Sequence, residues 1–247
     1  LLRILCGGNS RPESLQAPII VAFLIACVVA MLFGAFNGIL VAVFKIQPMI
    51  ATLILYTAGR SIAAWINNNE LPVISDPTFT YFGEFIPGIP IPTPFFIAVA
   101  CMIIIGLTLK FTNLRLYTQA VGINENASRL NGLNPVFIKI LSFVILGLCV
   151  GVVGLIKVSR ISTINYSVIA KDIEMDAILA VALGGNALSG GKFNMLASII
   201  GAYVIQCLTT TLYKFNVRSD ALPAYKAVVV ILLVVVSAPV VGEKCNA

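Results

Sequence analysis

The chain is 247 residues long, with 59% hydrophobic and 11% charged residues and a formal net charge of +6. Soluble domains carry about 25% charged residues, so this composition argues against a soluble globular protein. Lys and Arg are scattered singly and do not cluster with aromatic residues, which argues against nucleic-acid binding. Histidine is absent and the six cysteines form no CxxC pair, so the sequence predicts no metal site and no cofactor.

Long uncharged stretches predict membrane-spanning helices. The stretch between Lys192 and Lys214 is 21 residues long, and a helix needs about 20 residues to cross the hydrocarbon core of a bilayer. Similar stretches predict an all-α fold, a polytopic transmembrane helical bundle of six or seven spans. In chain order, the predicted spans are 17–44, 49–66, 95–112, 136–157, a glycine-interrupted segment 176–191, 193–213 and 224–240.

Two connections between the predicted spans differ in charge and indicate the orientation. Residues 67–94 contain six prolines and three acidic residues but no Lys or Arg, whereas residues 113–135 carry Arg115, Glu125 and Arg129. Positively charged connections tend to remain in the cytoplasm. We therefore expect 67–94 to be an extracytoplasmic loop and 113–135 to be a cytoplasmic one.

The start of the chain does not fit a complete multispanning protein. The predicted orientation places residues 1–16 outside, whereas such proteins usually begin in the cytoplasm, and no signal-peptide pattern is present. We expect residues 1–247 to form a single transmembrane domain from which earlier spans are missing.

The sequence GGNALSGGK at residues 184–192 invites comparison with a phosphate-binding loop. That motif requires G-x-x-x-x-G-K-[ST], but here Asn186 occupies the first glycine position and Phe193 follows Lys192. The sequence therefore predicts no ATP site. Two interpretations of the glycines remain: a hairpin turn between membrane segments, or a broken helix whose backbone groups meet a substrate.

Four glycines and one arginine stand out inside the predicted spans. The pairs Gly34-x-x-x-Gly38 and Gly147-x-x-x-Gly151 predict close helix packing, either within the chain or between two copies. Arg60 is expected to reach the membrane surface or form a structural ion pair, or alternatively to line a polar pathway.

The remaining charges give no indication of catalysis. Asp172, Glu174 and Asp176 are expected to mark a water-facing helix start, where acidic side chains are favourable. Neither a paired carboxylate in mid-span nor a Ser/Lys or Ser/His pair is recognisable, so we expect a protein that is not an enzyme.

Residues 121–134, VGINENASRLNGLN, carry a recognisable motif. They resemble the cytoplasmic coupling helix of sugar-importing ABC permeases, G-x-N-x-x-A-A-R-x-x-G-[IV]-N. The matching residues are Gly122, Asn124, Ala127, Arg129, Gly132 and Asn134. Asn126 stands where the general motif has Glu, and Ser128 replaces the second Ala.

Further segments resemble the same family in the same order, across roughly residues 17–240. They are NGILVA at 37–42, IQPMIATL at 46–53, EMDAI at 174–178 and LGGNALSGG at 183–191. The chain thus resembles the permease subunits of bacterial monosaccharide ABC importers, the ribose, galactose, xylose and arabinose group. The sequence at 45–60 looks closest to the galactofuranose branch. The family's N-terminal G-I-D-L-S-V-G block has no counterpart here.

The resemblance implies a function and a set of partners. The chain would import a monosaccharide across the bacterial inner membrane, energised by a separate ATPase subunit. A periplasmic sugar-binding protein and a second permease subunit, identical or different, would complete the assembly. The implied ATPase-coupling residues are Gly122, Asn124, Asn126, Ala127, Ser128, Arg129 and Gly132.

The translocation pathway can be predicted only by residue type. Groups that suit sugar hydroxyls within the predicted spans are Asn37, Thr52, Thr57, Arg60, Asn186 and Gln206. Two alternatives to the importer remain at this point. One is an ion-coupled secondary transporter, which would also use broken helices; the other is an inactive, truncated permease remnant.

Overall fold

The computed structural model describes residues 19–68, 83, 92–161, 165, 169, 173–186, 194–215, 221 and 224–228. The helices in these residues are α1 (Ile19–Ala42), α2 (Pro48–Ile66), α3 (Thr93–Phe111), α4 (Leu114–Ile123), α5 (Glu125–Leu130), α6 (Pro135–Ile161), α7 (Ile173–Leu183) and α8 (Met195–Lys214). Residues 224–228 are also helical. The predicted all-α fold is confirmed.

Five helices in the described part of the chain are long and apolar enough to cross a membrane. They are α1, α2, α3, α6 and α8, with 19 to 27 residues in each apolar span. Their large apolar side chains are extensively exposed, as for Leu32 on α1 (64%) and Ile104 on α3 (60%). A helix that is apolar on its exposed faces is suited to lipid, so the prediction of a polytopic membrane bundle is confirmed.

The two other predicted spans are described only in part. The segment 176–191 includes all but the first three residues of α7, whose 11 residues extend about 16 Å at 1.5 Å per residue and cannot cross a bilayer alone. Of the span 224–240, residues 224–228 are described. The predicted extracytoplasmic loop 67–94, the N-terminal segment 1–16 and Asp172 lie wholly or largely outside the described residues.

The chain divides into two compact units, Leu1–Ile169 and Ala170–Ala247. In the first unit, α1 and α6 run antiparallel and approach at backbone distance. A methyl group at Gly38 would lie 2.9 Å from Cα of Ile140, and one at Gly147 would lie 2.5 Å from the carbonyl oxygen of Ala30. The same interface includes Gly34 and Gly151. The two glycine pairs therefore face each other within one chain and allow the backbones to meet.

In the second unit, α7 and α8 form a similar antiparallel pair. Gly201 on α8 lies against the carbonyl group of Ala180, and a methyl group at Gly184 would lie 2.7 Å from the carbonyl carbon of Ala197. Ala180 and Ile205 are buried at 5% and 3% exposure, respectively. Small residues again replace side-chain interdigitation with close backbone contact.

Candidate coupling site and pathway residues

The connection between α3 and α6 contains two short helices, α4 and α5, which are separated at Asn124. The backbone of Asn124 is extended (φ −152°, ψ 107°), and its side-chain oxygen accepts a hydrogen bond from the Ala127 N–H at 3.0 Å. An Asn at this position is a favourable N-cap because it pairs one of the free amides of the first turn. Asn124 therefore separates α4 from α5.

The end of α5 is fixed by a glycine in the left-handed conformation. Gly132 has φ +79°; its N–H donates to the Arg129 carbonyl, and the Leu133 N–H donates to the Ser128 carbonyl, both at 3.1 Å. This is the Schellman arrangement of a helix C-terminus. Among the described residues, no atom lies within 4 Å of the place that a Cβ would take. The backbone angle, rather than lack of space, therefore accounts for the motif glycine.

The residues of α5 divide into a buried side and an exposed side. Ser128 is only 4% exposed, and its hydroxyl donates to the Asn124 carbonyl at 2.9 Å. The most exposed apolar side chains of this polar connection lie in α5 and immediately before it: Leu130 is 90% exposed and Ile123 is 74% exposed. We refer to the exposed residues Ile123, Asn126, Ala127, Arg129 and Leu130 as the coupling surface. Exposed apolar groups rimmed by polar ones are typical of a docking surface.

An ion pair joins α5 to the spanning helix α6. The ammonium Nζ of Lys139 lies 2.6 Å from Glu125 Oε2, and the two side chains are 31% and 39% exposed, respectively. The hydrogen bond from Lys139 lowers the pKa of Glu125, and the nearby charges of Lys139, Arg129 and Lys45 lower it further. Glu125 therefore stays ionised, paired with Lys139 on α6 and near Arg129 and Lys45.

Two of the predicted pathway residues bond to their own helix. The Thr52 hydroxyl donates to the carbonyl oxygens of Pro48 and Met49, each at 3.0 Å. The Thr57 hydroxyl donates in the same way to carbonyl oxygens one turn earlier, at 2.9 and 3.2 Å. These bonds leave each hydroxyl oxygen free to accept a hydrogen bond from a donor.

Arg60 is anchored within the first unit. Its Nη2 donates to the Ile169 carbonyl oxygen at 3.3 Å, and its guanidinium carbon lies 4.4 Å from the centre of the Tyr56 ring. A carbonyl acceptor and an aromatic face both stabilise a cation in a poorly hydrated place. Arg60 thus contributes to the fold of this unit.

Asn37 carries a buried acceptor that meets no donor in the described part of the chain. The residue is 8% exposed on α1, and none of the described residues donates a hydrogen bond to its Oδ1. An unpaired buried polar atom costs about 1–3 kcal/mol. An atom with this cost is a candidate for an additional role, such as accepting a hydrogen bond from a passing ligand.

Asn186 closes the connection between α7 and α8. Its Nδ2 donates to Ser198 Oγ at 2.6 Å and to the Asn194 carbonyl at 3.2 Å, while its Oδ1 accepts the Asn194 N–H at 2.7 Å. We call this hydrogen-bonded set of Asn186, Asn194 and Ser198 the asparagine clasp. Gln206, by contrast, is exposed on α8.

Comparison with known proteins gives the family. Residues 6–238 match the family described as the permease component of the branched-chain amino acid transport system. The chain belongs to this permease family. It is also 38% identical over 205 residues to the galactofuranose transporter permease protein of Escherichia coli strain K12, covering 83% of this chain and 60% of that protein. No solved structure matches the chain.

Two other relatives of this permease carry the names of sugars. The fructose import permease protein of Bifidobacterium longum is 38% identical over 223 residues, which are 88% of this chain and 62% of that protein. The ribose import permease protein of Escherichia coli strain K12 is 35% identical over 221 residues, 88% of this chain and 68% of that protein. The permease described here therefore spans about three fifths of the length of the galactofuranose and fructose relatives.

These findings confirm the family predicted from the motifs and place the permease in a membrane. The resemblance to monosaccharide importer permeases, including the galactofuranose branch, corresponds to the relatives found. A family of permease components is a family of transport subunits, in agreement with the expectation that this chain is a transport subunit.

Four residues of the coupling site were not predicted as site residues from the sequence: Ile123, Glu125, Leu130 and Lys139. Leu130 is an apolar residue in a polar connection, and its position in a short helix could have indicated exposure. Glu125 and Lys139 are 14 residues apart with a helix break between them, so helical spacing rules could not have paired them. Only the folded connection brings their charges together.

Proposed function

We propose that this chain is the permease subunit of an ATP-binding-cassette importer that moves a monosaccharide across the bacterial inner membrane. Hydrolysis of ATP on a separate ATPase subunit would drive the movement. Membership of the permease family supports this proposal, as do relatives named as galactofuranose, fructose and ribose permeases. The five helices of spanning length supply the membrane part.

The observation that carries the proposal is the coupling surface on α5. Caps at Asn124 and Gly132 hold this six-residue helix in place, and the coupling surface faces outward between two spanning helices. Exposed, apolar Leu130 beside a cation at Arg129 suits a protein partner rather than lipid. We assign residues 113–135 as the cytoplasmic coupling loop and the ATPase subunit as its partner.

The other partners follow from the orientation. Residues 67–94, without Lys or Arg, would form the extracytoplasmic loop on the side where a periplasmic sugar-binding protein docks. A second permease subunit, identical or different, would complete the pathway within the lipid bilayer. No nucleic acid is involved.

Asn37 is the pathway residue with the strongest support. Its buried Oδ1 receives no hydrogen bond from the residues that the structure describes, and a sugar hydroxyl is a donor of the right strength and size. Thr52, Thr57 and Gln206 remain pathway proposals of the same chemistry. Asn186 and Arg60 would act in the pathway only in addition to the structural contacts already described.

Uptake into proteoliposomes tests this function against an ion-coupled transporter. The chain, its ATPase and its binding protein are reconstituted. Uptake of fructose, ribose and galactose is then measured with ATP supplied on the side of the membrane that carries the ATPase, whether this is inside or outside the vesicle. Uptake that requires ATP hydrolysis and survives dissipation of sodium and proton gradients is expected. Uptake that follows an imposed ion gradient without ATP would refute the importer proposal.

A further inference from the structure

Two attachments join α5 to the spanning helix α6, beside the contacts that the neighbouring helix α4 makes with α6. The first is the chain itself, because residues 131–134 lead directly from the end of α5 into α6. The second is the ion pair between Glu125, at the start of α5, and Lys139, in the second turn of α6. These attachments hold opposite ends of a helix that is only about 9 Å long at 1.5 Å per residue.

A helix held at one end can pivot, whereas a helix held at both ends moves with its support. The link at the C-terminal end contains Gly132 in the left-handed conformation, and glycine is the least restricted residue. Without the ion pair, α5 could turn about this link. With the ion pair, its orientation relative to α6 is fixed.

The helix α6 can carry a displacement far into the membrane. Its 27 residues extend about 40 Å, and it packs against α1 through glycine contacts at Gly38 and Gly147. Close-packed backbones transmit movement with little compression. A push on α5 would therefore reach α1 through contacts that are all within the first unit.

We propose that Glu125 and Lys139 form a positioning clamp that converts movement of α5 into movement of α6, without contacting the ATPase. This inference rests on the proposed importer function and deepens it. It assigns α5 two roles: the coupling surface binds the partner, and Glu125, one turn before Arg129 at the edge of that surface, holds the spanning helix.

The charges around the clamp favour this pairing. Arg129 and Lys45 also lie near the Glu125 carboxylate, so Glu125 is the acidic group among three cations. Loss of Glu125 would leave Lys139, Arg129 and Lys45 to repel one another. The start of α5 would then move away from α6 while its caps at Asn124 and Gly132 remain.

Charge exchange tests the clamp. The variants E125K and K139E, and the double variant E125K/K139E, are prepared in the full chain. Hydrogen exchange of the amides in 121–133 is measured on the chain alone. In the single variants we expect exchange to rise about two- to fivefold, the range that a partly exposed ion pair supports, and the double variant should return toward the wild-type rate.

Measurements of ATPase binding and of transport distinguish a clamp role of Glu125 from a role in docking the ATPase. Each single variant should co-purify with the ATPase as the wild type does, but lose at least about threefold in ATP-driven uptake of fructose, ribose or galactose, and the double variant should recover uptake.

Unchanged hydrogen exchange in the single variants would overturn the clamp. Loss of ATPase binding in E125K would show that Glu125 belongs to the docking surface, which overturns the clamp but leaves the importer function standing. A wild-type chain that binds no ATPase would instead overturn the proposed function and, with it, the coupling role.

Discussion

The side-chain amide of Asn186 donates a hydrogen bond to the hydroxyl of Ser198 at 2.6 Å, which ties the end of α7 to the first turn of α8. The same asparagine is 9% exposed and pairs both polar groups of its amide. Its bonding capacity is thus used by the fold of the second unit. This relationship gives a glycine-rich turn a fixed geometry that its sequence alone would not impose.

Replacement of Asn186 by Ala should destabilise the second unit. The change leaves the Asn194 N–H without its acceptor and removes the bond that the Ser198 hydroxyl oxygen accepts, although this hydroxyl still donates to the Asn194 carbonyl. Each lost buried hydrogen bond costs about 1–3 kcal/mol. Denaturant unfolding in detergent measures the change. Gln206→Ala on the exposed face of α8 is the matched control and should shift stability by less than about 0.5 kcal/mol. Equal stability of the two variants would contradict the asparagine clasp.

Two glycines on α6 provide a paired test of helix packing. A methyl group at Gly147 would lie 2.5 Å from the Ala30 carbonyl oxygen, whereas none of the described atoms lies within 4 Å of one at Gly154. Gly147→Ala should therefore cost about 1–3 kcal/mol by forcing α1 and α6 apart. Gly154→Ala should be neutral or stabilising by up to about 1 kcal/mol. The pair is compared by thermal unfolding in detergent, and the reverse order of stability would show that the two helices do not meet there.

The pKa of Glu125 provides a test by pH. It is lowered mainly by the hydrogen bond from Lys139, so the clamp stabilises the fold above the unfolded-state pKa, near 4.5. That contribution is lost as the pH falls through the lower folded-state pKa, because protonated Glu125 no longer attracts Lys139. In carbon NMR, the carboxyl signal of Glu125 is assigned because it is absent from the Glu125→Gln variant. The pH midpoint of this signal should lie below the usual range of a glutamate. Lys139→Gln should return the midpoint to the usual range, and a midpoint already normal in the wild type would exclude the pair.

Replacement of Asn37 by Ala distinguishes a role of this side chain in the sugar pathway from a role in stabilising the fold. Its Oδ1 has no partner to lose among the described residues, so Asn37→Ala should relieve the cost of an unpaired buried acceptor, about 1–3 kcal/mol, and so offset part of the loss of packing. If Oδ1 accepts a hydrogen bond from sugar, uptake should fall about fivefold or more, because one hydrogen bond contributes about 1 kcal/mol. Stability and uptake are measured on the same preparation. Full uptake by a stable variant would remove Asn37 from the pathway.

The sequence predicts the spanning helices well because their length is imposed by the bilayer rather than by distant contacts. The predicted span 136–157 corresponds to α6, and 193–213 corresponds to α8 within two residues. The extent of α7 was harder to predict, since its end at Leu183 depends on the left-handed conformation of Gly185. Residue type indicated that glycine can turn the chain, but not where the turn begins.

The functional residues were predictable only in part. The motif identified α5 and its glycine, but it did not distinguish buried Ser128 from exposed Ala127. Asn186 was selected as a sugar-compatible side chain, yet folding places Asn194 and Ser198 against it. Residue chemistry defines what a side chain can bond, and the fold determines which partner it meets.

Co-purification with the ATPase subunit tests the central proposal most directly, because it asks whether 113–135 is a coupling site. Ala127→Asp places a carboxylate on the exposed side of α5. Asn134→Asp adds the same charge at the start of α6, where Asn134 already caps the helix by accepting the Phe137 N–H at 3.3 Å and Asp caps equally well. We predict that the wild type and Asn134→Asp retain the ATPase and that Ala127→Asp loses it. Retention of the ATPase by a folded Ala127→Asp chain, or no binding by the wild type, would contradict the assignment.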